Sequence, residues 1–210
     1  MAFDYKKEYR EFYLPPEKPQ IIDIPPMNFI AVRGKGDPNE EGGKYKQAIE
    51  ILYKLAYTVK MSKKGDRRIE GYFDYVVPPL EGFWWQEGMK GADYSKKSEF
   101  SWISLIRLPE FVTPNDFEWA ISEARSKDDR DFSKAEFLSY TEGLCVQCMH
   151  RGPYDDEPRT VSLMKSYMES MGYISDFESG RHHHEIYLSD VRRCRPENLK
   201  TVIRHPIKIR

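Results

Sequence analysis

The chain has 210 residues, 40% of them hydrophobic, enough to build a core without disulfide or metal staples. Its 33 Lys and Arg against 34 Asp and Glu leave a formal charge of −1, which argues against a broad phosphate-binding surface, so no nucleic-acid partner is expected. No apolar run approaches the roughly 20 residues of a membrane helix, and the first twenty residues lack a charged-then-apolar secretory pattern; a cytoplasmic protein without membrane contact is expected.

In chain order, the first clear signal is "FIAVRGKGDPNE" (Phe29 to Glu40), an extended apolar run followed by a basic residue, a glycine and an acidic, Pro-containing turn. A helix follows, with Ala48, Ile49, Leu52, Leu55, Ala56 and Val59 at helical spacing. The spacing then predicts a strand over "RIEGYFDYVV" (68–77) and another over "EGFWWQ" (81–86). An insert of about residues 88–134 comes next. It holds a strand, "SEFSWISLIRL", carrying Trp102, and a helix announced by Thr113 as N-cap, Pro114 in the first turn and Asp116 at the third position. "ARSKDDRDFSK" is a solvated charge run.

"CVQCMHRGPYDDE" (Cys145 to Glu157) repeats the plan of the first stretch about 115 residues later, with Gly152 matching Gly36, and that spacing excludes a solenoid. Cys145 and Cys148 fall on opposite faces of a strand, which argues against a redox or metal-binding pair, and an odd cysteine count fits a reducing compartment. A second helix carries Val161, Met164, Tyr167, Met168 and Met171, followed by strands over "HHHEIYLSD" and "KTVIRHPIKI". The pattern is therefore α+β, a β-α-β-β module occurring twice in a single domain over 1–210, with modules at about 18–87 and 135–210.

Three stretches carry chemistry. In "HHHEIYLSD" alternation puts His182 and His184 on one face and His183, Glu185 and Tyr187 on the other, so the three histidines do not converge on one ion; no metal and no cofactor are expected. Glu185 sits in a run that otherwise reads as buried. A carboxylate there is pushed toward its neutral form and suits proton transfer or the countering of a cation, the alternative being a structural ion pair. Tyr187 lies on the same face about 7 Å along the strand. In "VVPPLEGFWWQE" the rings of Trp84 and Trp85 point to opposite faces, one or both into core, with one available as a ligand platform. In "HRGPYDDE" a turn delivers Tyr154 toward a central pocket, while Asp155, Asp156 and Glu157 are accounted for by the helix N-terminus. Phe73, Tyr75, Trp102 and His183 complete the candidate ligand contacts, in a chain whose 14 Tyr, 11 Phe and 4 Trp suit either an aromatic core or a pocket for a flat ligand.

Together, "HRGPYDDE", "HHHEIYLSD" and "PPLEGFWW" closely resemble the GyrI-like small-molecule-binding family over about Lys18 to Arg210. The resemblance implies a pseudo-twofold domain whose two modules form a sheet-lined ligand cleft. It places the family's ligand-contacting glutamate at Glu185 and an aromatic platform at Trp84, Trp85, Tyr154 and Tyr187. In multidrug-responsive regulators of the family that acid faces flat, cationic drugs. The stand-alone branch, similar in length and in "PPLEGFWW", includes hydrolases that open the cyclopropane of DNA-alkylating natural products of the yatakemycin type. On that basis Glu185 would be base or acid and a tyrosine its complement. The basic residues Arg33, His150 and Arg151 flank the matching turns, and either Glu70 or Asp74 stands as the first-half counterpart of Glu185.

The expected function is thus a cyclopropanoid hydrolase acting on a planar aromatic small molecule. The alternative is a non-catalytic drug-sequestering protein or a gyrase-inhibitor-like partner protein. Exposed strand edges would also allow pairing into a homodimer.

Overall fold

In chain order the elements of the computed structural model are the short helices α1 (Tyr5–Glu8) and α2 (Arg10–Tyr13), β1 (Gln20–Lys35), α3 (Lys44–Met61), β2 (Leu80–Gln86), β3 (Phe100–Arg107), α4 (Pro114–Arg125), β4 (Ala135–Arg151), α5 (Glu157–Ser170), β5 (Tyr173–Ser175), β6 (His183–Tyr187) and β7 (Lys200–Ile209). The structure describes residues 2–65, 67–89, 93, 96–177 and 180–210; residues 90–92, 94 and 95 of the expected insert lie outside them.

The long strands β1 and β4 pair antiparallel from Gln20↔Gln147 to Val32↔Ala135. On the β1 side β3 and then β2 follow, and on the β4 side β7 and then β6. Pairing of β2 with β6 closes the ring into a barrel. Among the described residues only the three-residue β5 lies outside it, on β7. Ring closure covers both edges of β2, β3 and β6, while residues 20–28 of β1 and 135–144 of β4 pair on one side only, with each other.

The outer surface of the barrel is covered unequally. Ile51, Leu52, Leu55 and Val59 of α3 pack with Ile30, Trp102 and Ile106 over β1 and β3, and α4 braces α3 through Phe117, Ala120 and Ile121. Met164 and Met168 of α5 pack on Val146, Cys148, Ile203 and Ile207 of β4 and β7. The outer face of the β2–β6 pair becomes the floor of a cleft between α3 and α5.

Three local expectations find direct counterparts. Gly36 and Gly152 take φ of 136° and 131°, a region closed to most L-residues, so the same backbone bend ends both apolar runs. Thr113 and Asp116 form a reciprocal capping box at α4. Cys145 and Cys148 are free and buried, Cys148 toward α5 and Cys145 beside Arg181 and Glu142.

The strand expected over 68–77 is absent. The segment is turn and coil apart from one bridge between Tyr75 and Phe3, because both edges of β2 are taken by β3 and β6. Its aromatic content serves packing instead: Tyr75 is 1% exposed among Tyr5, Tyr13 and Met149, and Phe73 lies against Phe3 and Phe111 at 5.3 and 5.1 Å. The strand placed in the insert is β3, a full member of the barrel. The N-terminal segment seals one end of the barrel. The Arg107 guanidinium lies over the rings of Tyr5 and Tyr9 at 4.7 and 4.8 Å, and Pro16 O accepts from Met149 N at 3.0 Å.

Candidate functional site

Strand β6 has two polar faces. The inward face turns His184, 1% exposed, into the barrel, where Nε2 meets Glu81 Oε2 and Nδ1 meets Glu142 Oε1, both at 3.0 Å. Arg204 on β7, across from His184 in the register, bonds Glu142 Oε2 at 3.2 Å and Gln147 Oε1 at 2.9 Å. Tyr13 donates to Glu81 at 3.4 Å, and Arg204 also donates to the carbonyl of Phe12. Two carboxylates thus face one imidazolium and one guanidinium, all four buried. Burial alone would lower His184, but Glu142 and Glu81 hold it up at about 9. Burial alone would raise Glu142, but His184 and Arg204 hold it down at about 2. His184, expected only to open the strand, is the centre of this network.

The outward face presents His183, Glu185 and Tyr187 to the cleft. Antiparallel pairing of β6 with β7 sets His183 beside His205, and the rings join through Nδ1 and Nε2 at 2.7 Å. The other nitrogen of His183, Nε2, is 3.0 Å from Glu185 Oε1 and 4.0 Å from Glu157 Oε2. The Tyr187 hydroxyl accepts from Trp84 Nε1 at 2.9 Å. The ring of Tyr45, on α3, lies tilted against that of Trp84, 5.1 Å between ring centres. Tyr154 stands edge-on to the Tyr187 ring at 5.8 Å. Burial, followed by the charge of Glu185, raises both Tyr154 and Tyr187, so both phenols stay protonated.

Glu157 departs furthest from expectation. Asp155 and Asp156 are exposed, as acids at a helix start should be, but Glu157 turns into the cleft, is 1% exposed, and its Oε1 has no hydrogen-bond partner. Burial raises its pKa well above 4.5, with Glu185 and then Asp155 adding to the effect. No sequence signal separates it from its two acidic neighbours. The donor atoms of Glu157, His183 and Glu185 lie within 4.8 Å of one another, close enough to face one small cation. The three histidines do part company, as alternation requires, but one of them joins two carboxylates from separate elements.

The surrounding cleft has a volume of about 2400 Å³. Its walls include Tyr45, Ile49 and Tyr53 of α3 and Val161 of α5, with Trp84, Tyr154 and Tyr187 around the carboxylates. Tyr45 was missed, although it stands at helical spacing before Ala48 and Ile49 on the apolar face of α3. His205 was missed because only the pairing register brings it to His183. Trp85 lies at the rim, stacked on His182 at 4.0 Å with Nε1 donating to Glu87. Trp102 is 1% exposed and sits behind Tyr45, 5.2 Å between ring centres, in the core rather than the cleft. Phe73 and Tyr75 are outside the cleft altogether.

The flanking basic residues are not in the cleft. Arg33 pairs with Glu136 and Arg151 with Glu17 at the surface, while His150 is tied to Thr160 and the carbonyl of Pro153. Asp74 is exposed and paired with Lys63, and Glu70 is exposed in a turn; neither stands opposite Glu185. The residue across from Glu185 is Gly82. A Cβ there would come within 2.6 Å of Trp84 Nε1 and 3.2 Å of the Tyr187 hydroxyl. Gly82→Ala is therefore expected to cost about 1–3 kcal/mol of overpacking. It should also part Trp84 from Tyr187, seen as a shift in tryptophan fluorescence; an unshifted spectrum and unchanged melting would show that the close approach is unimportant.

Residues 17–208 match the family described as GyrI-like small molecule binding domain. An uncharacterized conserved protein from Listeria innocua superposes with a TM-score of 0.93 at 48% identity, over 99% of this chain and 100% of its own. A hydrolase from Listeria innocua superposes at 0.89 with 45% identity and the same coverage. The C-terminal domain of EcmrR, at 11% identity and a TM-score of 0.58 over 92% of this chain and 98% of its own, shares the fold alone. Comparison with curated proteins yields no match. Among the described residues no helix is long and apolar enough to cross a membrane.

Proposed function

The chain belongs to the GyrI-like small-molecule-binding family, and from that premise we propose that it is a hydrolase of planar aromatic compounds carrying a strained cyclopropane conjugated to a dienone. The observation that carries the proposal is the pairing of two unequal carboxyls in an aromatic cleft. Glu157 is buried with one oxygen unpartnered, while Glu185 is engaged by His183 at 3.0 Å. Burial raises the pKa of Glu157, and an acid held protonated beside a second carboxyl is what acid–base catalysis needs. The hydrolase of Listeria innocua, similar over the whole chain, supports hydrolysis as the reaction type.

In the proposed reaction, Glu185 takes a proton from water as the water oxygen bonds to a ring carbon. The cyclopropane C–C bond breaks and its electron pair passes into the dienone, whose oxygen receives the proton of Glu157 and becomes a phenol. Water is added and nothing else is consumed. The phenols of Tyr45, Tyr154 and Tyr187 stay protonated and serve as hydrogen-bond donors, and the rings with Trp84 sandwich a flat ligand and exclude solvent. In the sequence-based expectation a tyrosine was the complement of Glu185; burial and like charge favour Glu157 in that role.

The test is to incubate the protein, well below stoichiometry, with a synthetic spirocyclopropyl dienone and follow the mass gain of one water. Turnover beyond one equivalent that is lost in Glu185→Gln supports the proposal. A one-to-one complex with unchanged ligand would favour a drug-sequestering protein instead, and turnover indifferent to Glu185 would overturn the site.

A further inference from the structure

After one turnover of the proposed reaction the two carboxyls hold their protons the wrong way round: Glu185 carries the proton of water, and Glu157 has lost its own. The next cycle requires that a proton pass from Glu185 to Glu157. Glu157 is 1% exposed, and the cleft around it is walled by aromatic rings, so exchange with bulk water through a bound ligand is hindered.

One nitrogen lies between the two acids. His183 Nε2 is 3.0 Å from Glu185 Oε1 and 4.0 Å from Glu157 Oε2, and no other described side-chain nitrogen pairs with either acid. We propose that His183 is the relay that returns the proton from Glu185 to Glu157 after each turnover, with His205 as the positioning residue that makes the relay possible. The relay presupposes the acid and base roles proposed above.

The hydrogen-bond pattern explains the direction. For Nε2 to accept the proton of Glu185 it must begin with a free lone pair, so the ring proton must sit on Nδ1. That nitrogen faces His205 Nε2 at 2.7 Å. His205 is 8% exposed, with the ring of Phe177 edge-on at 5.0 Å, an environment that resists a second charge and keeps its Nε2 an acceptor. His205 therefore selects the Nδ1–H tautomer of His183 and aims Nε2 at the acids, as a second partner commonly orients a working histidine. In transfer, Nε2 takes the proton from Glu185 and the ring becomes an imidazolium still bonded to His205. It then gives the proton to Glu157 Oε2, and both carboxyls and the ring return to their starting forms. No external acid or base is consumed.

The groups that face this relay come from four elements: Glu157 on α5, Tyr154 in the turn before it, Glu185 and Tyr187 on β6, and His205 on β7, with Tyr45 approaching from α3. Arg204 and Glu142, next to His205 and His184, point into the barrel and bond each other.

The test compares the first turnover, with protein in excess, and steady-state turnover, on a spirocyclopropyl dienone whose opening to the phenol is read by absorbance. In His183→Gln the steady-state rate is expected to fall about 10²-fold further than the first-turnover rate, the scale of a lost proton-transfer group. A burst of one equivalent should appear, and added imidazole should restore the steady state. His205→Phe, which keeps a ring but removes the acceptor, should give a weaker form of the same pattern and carries the test if His183→Gln does not fold. Equal slowing of first and later turnovers, or a burst that imidazole does not relieve, overturns the relay and leaves the hydrolase assignment standing. Absence of turnover in the unmodified protein overturns both.

Discussion

Glu157→Leu is expected to abolish turnover and yet raise the melting temperature at neutral pH. The rate should fall about 10²–10⁴-fold, the range lost with a general acid. Stability should rise because a buried oxygen without a partner costs about 1–3 kcal/mol, and each kcal/mol moves the melting point of a chain of this size by roughly 2–4 °C. The sign with pH follows from the raised pKa. Above 4.5 the unfolded chain releases this proton while the folded chain holds it, so the unmodified protein loses stability as pH rises. The leucine variant lacks that loss, so its advantage should widen from about pH 4.5 upward and shrink in acid to the part due to the unpartnered oxygen. A melting point at pH 8 several degrees below that of the unmodified protein would show that Glu157 is a structural acid, not a strained functional one.

The second large effect is expected inside the barrel. His184→Leu leaves Glu81 and Glu142 facing Arg204 alone, an uncompensated buried charge, and should cost about 3–5 kcal/mol. Replacing Glu142 by Gln in the same chain should recover part of it by restoring the charge balance. The pH dependence has two limbs. With a folded pKa of about 9 against an ordinary 6.5, His184 stabilises fully below about pH 6.5 and its contribution fades as pH rises through 9. With a folded pKa of about 2 against an ordinary 4.5, Glu142 stabilises fully above about pH 4.5 and its contribution fades as pH falls through 2. The network is therefore at full strength between about pH 4.5 and 6.5. Denaturant midpoints across pH 3–10 would check this: a His184→Leu variant that keeps the same alkaline decline, or that loses less than about 1 kcal/mol, would remove the network from the account of stability.

The two effects are linked through one short strand. His184 is clamped inward by two carboxylates, and its neighbours His183 and Glu185 are held outward in the cleft by the same five residues of β6. A polar anchor on one face fixes the height and twist of the strand, and so the aim of the side chains on the other face. Natural proteins accept the desolvation cost of such an anchor where position matters, as it does for a proton donor and acceptor that must meet within hydrogen-bond reach.

Local spacing was enough for several elements. The helical periodicity of Ala48, Leu52, Leu55 and Val59 matches buried positions of α3, the Thr113–Asp116 box starts α4, and Gly36 and Gly152 mark matching bends. Alternation separated His183 and Glu185 from His184, because side-chain period two is a property of the strand alone. It failed at 68–77, where aromatic and β-branched residues pack without a free strand edge to pair with.

What the sequence by itself determined is therefore everything that depends on neighbours a few residues away: the two apolar runs and their glycine bends, the helix faces, the cap of α4, and which residues of β6 share a side. Tertiary structure alone decided which of those sides meets water, since that depends on α3 and α5 covering β1, β3, β4 and β7, with the cleft between them over β2 and β6. It also decided the partners: Glu157 beside Glu185, His205 beside His183, and Arg204 beside Glu142. These residues are separated by about 20 to 60 positions in sequence, and only strand register and the docking of α5 bring them within hydrogen-bond range, where burial and charge set what each can do.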